Sequence, residues 1–173
     1  LALVFAEYSP RVTGIQPVED MLPLVEHDPG RVRLVGNLNP HLHHPATVEL
    51  ERQLGLGAVA LKLHPVHGGF PLNARELYKV YALCEARGIA VIVHFGTSIY
   101  PGAVNRLVEA SELNVVVDDF RELKLVLAHG GRGWAYEVAG VLALSRPNVW
   151  IEISGLPPRR LPELPIYERK AGE

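Results

Sequence analysis

The chain has a single cysteine, Cys84, so it can close no internal disulfide and build no thiolate metal cage. It has no excess of charge of either sign: 17 Lys and Arg stand against 19 Asp and Glu, a net charge of −2. That balance removes any electrostatic case for nucleic acid or an anionic membrane. No apolar run approaches the ~18–20 residues of a spanning helix, and no signal peptide is visible. A cytoplasmic location is the default expectation. No G-x-G-x-x-G or Walker sequence occurs, which removes the usual phosphate-cradling loops. An initiating Met is also absent. The chain opens Leu1-Ala2-Leu3-Val4-Phe5, already inside an apolar run, and closes after a Pro-rich stretch. We read it as an internal piece of a longer protein. Its 173 residues are 48% apolar and 21% charged, which suits a globular domain and argues against disorder.

Short β-branched runs alternate with longer segments of helical period. The runs are Ala2–Tyr8, Val32–Leu38, Ala58–His64, Ala90–His94, Lys124–His129 and Val149–Ser154. Between them, helices are expected over Pro17–His27, Pro45–Leu54, Ala74–Arg87 and Trp134–Ser145. Asn73 is the expected cap of the third of these and Gly88 its stop. Leu77, Val80, Tyr81 and Cys84 share one face of it, so Cys84 reads as a packed core thiol. The stretch Ala103–Phe120 reads as a helix near Val104–Glu112, followed by a turn or short helix at Val117–Phe120. Residues 155–173, with Pro157, Pro158, Pro162 and Pro165, read as an extended connecting segment on a single domain spanning 1–173.

Six strands with intervening helices mean βα units and a parallel sheet. His64, His94 and His129 each end a strand, about 30 to 35 residues apart, the length of one such unit. Polar residues at successive strand ends favour a (β/α)8 barrel, whose chemistry collects at the carboxyl-terminal face, over a doubly wound sheet. Strand alternation puts Lys62 with His64, His94 with Ala90 and Ile92, His129 with Leu125 and Leu127, and Glu152 with Ser154. We assign each of those faces to the barrel interior. Gly96, Gly130, Gly131 and Gly155 follow at once and allow sharp turns above a pocket. A lone strand-end histidine is usually structural. Three at one-unit spacing point to metal ligation or general base work, against the plainer reading of a barrel that binds a small anion.

The ordered segments Leu61-Lys62-Leu63-His64-Pro65, Pro71-Leu72-Asn73, Val91-Ile92-Val93-His94-Phe95-Gly96-Thr97-Ser98, Leu125-Val126-Leu127-Ala128-His129-Gly130-Gly131 with Trp134, and Asn148-Val149-Trp150-Ile151-Glu152-Ile153-Ser154-Gly155 resemble the amidohydrolase-related family of metal-dependent TIM-barrel enzymes. The resemblance covers roughly residues 30–160. It implies an incomplete (β/α)8 TIM barrel, about strands 2 to 7, with outer helices. It implies a divalent metal ion, zinc first, with His94 as a metal ligand. His129 would be a second ligand or the catalytic acid/base beside the metal, and Lys62 and His64 would line the substrate pocket. The implied activity is hydrolysis of a small organic substrate by a metal-activated water. The alternatives are a non-oxidative decarboxylase on the same fold and a metal-free ligand-binding barrel fragment.

Glu152 and Ser154 could orient substrate or a histidine, and Arg132 could hold a substrate carboxylate. The family's strand-1 H-x-H and strand-8 aspartate have no counterpart, so the piece alone is expected to be inactive. His41-Leu42-His43-His44 has the H-x-H spacing but follows Asn39-Pro40, so it reads as a loop on the active face. Asp118-Asp119 lies at the opposite face and reads as structural. Partners are expected to be a small-molecule substrate, with no nucleic acid and no membrane, and a homo-oligomer stays open. The sheet is expected to be open, with Ala2–Tyr8 and Val149–Ser154 at opposite edges.

Overall fold

In the computed structural model, which describes residues 1–163, the chain folds as a curled parallel sheet with helices on one side. Its elements are β1 (Ala2–Phe5), β2 (Glu7–Ser9), β3 (Gly14–Gln16), α1 (Leu22–His27), β4 (Val32–Leu38), α2 (Ala46–Gly55), β5 (Ala60–Leu63), the single turn α3 (Pro65–Gly68), α4 (Arg75–Arg87), β6 (Ala90–Gly96), α5 (Ala110–Asp119), β7 (Leu125–Arg132), α6 (Tyr136–Ser145) and β8 (Val149–Glu152). Six strands pair in the order β1-β4-β5-β6-β7-β8, every pair parallel. No ladder joins β1 to β8 among the described residues, so the sheet is an open part of a barrel. None of the described helices is long and apolar enough to cross a membrane.

Alternation along the strands sorts side chains into two layers. Leu61, Leu63, Val91, Val93, Leu125 and Leu127 face the helices. There they meet Leu50 of α2, Leu77 and Tyr81 of α4, Val116 of α5 and Ala139 of α6 in one buried core. Cys84 sits in that core, as its helical spacing implies. The opposite layer is the barrel interior, and its edges are open. Leu3 and Phe5 on β1 are 47% and 42% exposed, and Trp150 on β8 is 48% exposed.

Several local expectations differ from the fold. The run Ala2–Tyr8 is not one strand. It breaks at the fully buried Ala6, and Glu7–Ser9 pairs antiparallel with Gly14–Gln16 in a separate hairpin. Val12 and Thr13 both donate to the Ser9 carbonyl, and Gly14 takes φ 90°, so the chain doubles back. Asn73 does not cap α4; Ala74 occupies the cap position and offers no side-chain oxygen. Gly88 does end α4, with φ 64°. The region after Ala103 is a short 3-10 turn, Asn105–Leu107, then one helix, α5, entered through Glu109, whose carboxylate accepts from the Ser111 amide. The burial of Leu113, Val116 and Val117 explains why the helix runs on to Asp119. In the Pro-rich segment, Pro158–Glu163 forms a 3-10 helix rather than an extended connection, and residues 164–173 of the expected 155–173 segment lie outside those described. Asp118 pairs with Arg146 at 2.5 Å and Asp119 accepts from the Tyr78 hydroxyl at 2.9 Å, a structural use on the helix side.

Candidate functional site

The carboxyl-terminal ends of β5, β6 and β7 bring four imidazoles into a column. His64 stacks on His94 with centroids 4.0 Å apart, and on its other neighbour, His67, at 3.7 Å. His94 meets the edge of His129 at 4.8 Å. His64, His67 and His94 are buried and His129 is half-buried.

Register explains His64 and His94. Lys62 lies opposite Ile92, and Ile92 opposite Val126, so this row faces the interior, and so does the row two residues on, which holds His64 and His94. His129 arrives differently from the sequence expectation. Leu125 and Leu127, its alternation partners, belong to the helix-side core, while Ala128 is the residue level with His94. Strict alternation would therefore bury the His129 ring among the helices. Instead His129 adopts φ 70°, followed by Gly130 at 51° and Gly131 at 79°, and the β6–β7 register shifts between His94 and Gly96. A local left-handed turn re-aims the ring into the interior.

Each of these two rings has one nitrogen committed to a backbone carbonyl. His94 Nε2 donates to Gly96 O at 2.7 Å, and His129 Nδ1 donates to Ser154 O at 2.8 Å. That assignment leaves one lone pair on the other nitrogen of each, the arrangement in which histidine binds a metal or takes a proton. Burial, reinforced by neighbouring cations including Lys62, holds both rings below the usual imidazole range. Burial pushes His64 and His67 the same way.

Below the histidines sits Lys62, buried, with Nζ 5.7 Å from the Phe5 ring centroid. Burial brings its ammonium down to about 8, opposed by the carboxylates of Glu152 and Glu7. Glu152 and Ser154, expected to orient substrate or a histidine, turn their polar atoms to His129. The Glu152 carboxylate accepts from the Ser154 amide at 2.6 Å, the Ser154 hydroxyl at 2.8 Å and the His129 amide at 3.4 Å. Burial works against the Glu152 charge, but those donors hold it below the usual carboxylate range. Arg132 donates to Thr97 O at 2.8 Å and closes the wall between β6 and β7. A methyl group built on Gly155 would lie 2.6 Å from Arg132 Nη1 and 3.4 Å from His129 Nδ1, which places the guanidinium beside that histidine.

The histidine-rich loop stays apart from the column. His43 packs edge-on against Tyr8 at 4.6 Å and accepts from the Asn39 amide, while His41 Nε2 donates to Gly69 O at 3.2 Å. His41 lines a cavity of about 510 Å³ with Arg11, Asn39, His67 and Val104.

Two residues of the site escaped the sequence reading. His67 follows His64 by one turn, and the spacing His64-Pro65-Val66-His67 was the available signal. Glu7 reaches the site only through the β2–β3 hairpin, and no local pattern announces that.

Comparison with known proteins places this geometry. A family profile for amidohydrolases matches residues 18–171. An uncharacterised TIM-barrel protein from Bordetella bronchiseptica superposes with a TM-score of 0.76 at 25% identity, over 87% of this chain and 53% of that one. A structure described as an amidohydrolase II gives 0.57 at 17% identity, over 83% and 56%. A 4-oxalomesaconate hydratase from Rhodopseudomonas palustris gives 0.54 at 20% identity, over 79% and 48%. The chain thus spans about half the length of the solved structures it resembles. No curated protein matches it.

Proposed function

The chain belongs to the amidohydrolase family, and we propose that it supplies the central strands of a metal-dependent enzyme that hydrolyses a small organic substrate. The observation that carries this reading is the His94–His129 pair. The two rings lie 4.8 Å apart at adjacent strand ends, and each has one nitrogen spent on a backbone carbonyl and one lone pair free. That donor set fits a divalent ion, zinc first among them. A divalent ion there would polarise a substrate oxygen and acidify a water.

The chain's own residues have separable tasks in this reading. His94, the more buried of the two, holds the metal. His129, more open and anchored through Nδ1, carries a proton to or from substrate at Nε2. Glu152 and the Ser154 carbonyl fix its ring. Lys62 and His64 line the floor of the pocket, and Arg132 offers a fork for a substrate carboxylate.

In the protein that carries this chain, His94→Ala should lower bound metal and activity together. His129→Asn should cut turnover by about 10²–10⁴-fold, the usual worth of general acid–base catalysis, while most metal stays. Equal metal loss in both would make His129 a ligand, and normal turnover in either would end the reading. Arg132 beside His129 favours a second reading, a carboxy-lyase acting on a carboxylic acid. Carbon dioxide release by the purified enzyme separates the two.

A further inference from the structure

Metal-ligating side chains gather in one further place. Glu7, His64 and His67 each offer a ligand atom, and the three atoms all lie within 4.8 Å of one another. Three separate features of the chain bring them together. Glu7 is there because β1 breaks at Ala6 and the chain turns into the β2–β3 hairpin. His64 closes β5. His67 follows after the single turn α3, whose first residue, Pro65, sets the helical φ and leaves no amide hydrogen unpaired.

Buried histidines can serve as ordinary hydrogen-bonded residues, and this cluster departs from that in two ways. Among the described residues, His67 Nδ1 is the buried side-chain polar atom left without a partner, in a residue only 8% exposed. Its Nε2 meets Ser98 Oγ at 2.8 Å. With Nε2–H donated to that hydroxyl, Nδ1 keeps a lone pair and finds no donor, a condition native interiors seldom leave uncompensated. His64 Nδ1 is engaged only by the His67 amide, at 3.3 Å.

We propose that Glu7, His64 and His67 form a site for one divalent transition-metal ion of the zinc class, built wholly from this chain and separate from the His94–His129 pair. Two imidazoles and a carboxylate are a known donor set for zinc, and three protein ligands leave a coordination position open. Zinc bonds of about 2.0–2.2 Å require donor atoms about 3.4 Å apart in a tetrahedron, so the triad closes by at most about 1.4 Å on binding. Glu7, half-buried on a short hairpin, can make that move. The open position has room beside it. His67 forms part of the wall of the 510 Å³ cavity, and Arg11 and His41 line the same space. The exchangeable ligand that suits a cation flanked by those groups is a small anion.

The inference uses none of the residues assigned above to hold metal; His64, which lines the pocket floor in that reading, is shared, so the test is read on Glu7 and His67. The test titrates the 173-residue chain with Zn²⁺ or Co²⁺ alone, at concentrations too low for self-association. One equivalent should bind, raise the melting temperature reversibly against a chelator, and give a Co²⁺ visible spectrum of low coordination number. Glu7→Gln and His67→Gln should each weaken binding by more than about tenfold, and His129→Asn should leave it unchanged. Melting temperatures in chelator report whether a variant folds, and Glu7→Gln, a near-isostere at a half-buried position, keeps the test decisive if His67→Gln does not. Unchanged affinity in Glu7→Gln, or no uptake by the parent chain, overturns the site. Loss in His129→Asn with retention in Glu7→Gln overturns it too, and makes His129 a metal ligand.

Discussion

In the proposed function Glu152 would act through His129, the residue its hydrogen bonds support. Its carboxylate gathers the Ser154 amide, the Ser154 hydroxyl and the His129 amide, and the Ser154 carbonyl in turn fixes the His129 ring at 2.8 Å. Removing the carboxylate frees the backbone on both sides of that ring. If the proposed function holds, Glu152→Ala should therefore lower kcat about 10–100-fold, as losing a group that orients a working histidine does, with KM little changed. Glu152→Gln keeps an acceptor and should fall less. Steady-state kinetics on both variants checks this, and a change confined to KM would return Glu152 to the substrate. At this scale the strand-end histidines were legible, because a polar residue closing each apolar run is a local pattern. His129 shows the limit of that logic. Its inward direction comes from a φ of 70° over a glycine pair, not from alternation, and alternation alone would have aimed it at α6. Glu7 and His67 were not legible, one because it depends on a hairpin and the other because a single helical turn carries little sequence signal.

Elements were read well where apolar period is strong and less well where a turn decides. β4, β6, α2 and α4 follow their patterns to within about two residues, the usual uncertainty of element ends. The β7–α6 connection depends on backbone room that composition hints at only through its glycines. A Cβ on Gly131, at φ 79°, would lie 2.2 Å from the Ala135 carbonyl oxygen, an atom of the backbone that cannot swing away. Gly131→Ala should cost about 1–2 kcal/mol from the left-handed conformation and more from the collision. A clear drop in melting temperature, together with lost site geometry, is the expected result. In α4, burial pushes the Cys84 thiol up to about 12 and raises Tyr81 well above its ordinary range. The unfolded chain sheds these protons first, so above about pH 9 it binds fewer than the folded chain and stability falls as pH rises, by about 1.4 kcal/mol per pH unit for each group. Urea midpoints should decline steadily above pH ~9, and Cys84→Ala should flatten the first part of that decline. A level profile up to pH ~10.5 would show that the thiol is not held in the dry core.

Across the whole molecule, the open sheet follows from the order of six strands whose outermost members, β1 and β8, share no ladder. The six parallel strands were readable because each strand–helix unit repeats the same apolar signature. The diversion of Glu7–Ser9 into its own hairpin was not, since the run Ala2–Tyr8 looks uniform until Pro10 and Gly14 turn it. Among the described residues, no further strand pairs with either edge. Neither Ala2–Phe5 nor Val149–Glu152 contains Lys or Pro, the residues that ordinarily blunt an edge. Each edge also leaves large apolar side chains of the interior face in contact with water: Leu3 and Phe5 on one side, Trp150 on the other. Unpaired backbone groups beside a wet apolar strip favour strand addition from another molecule, because that pairing satisfies both at once. The 173-residue chain should therefore self-associate as concentration rises, with apparent mass by sedimentation climbing well past the 19.0 kDa monomer. Leu3→Lys with Trp150→Lys should hold it closer to monomer, since a charge on each interior edge opposes the apolar contact without touching the helix-side core. Monomeric behaviour of the parent chain across that range would mean that its edges are already satisfied, and the open-barrel account of its surface would fail.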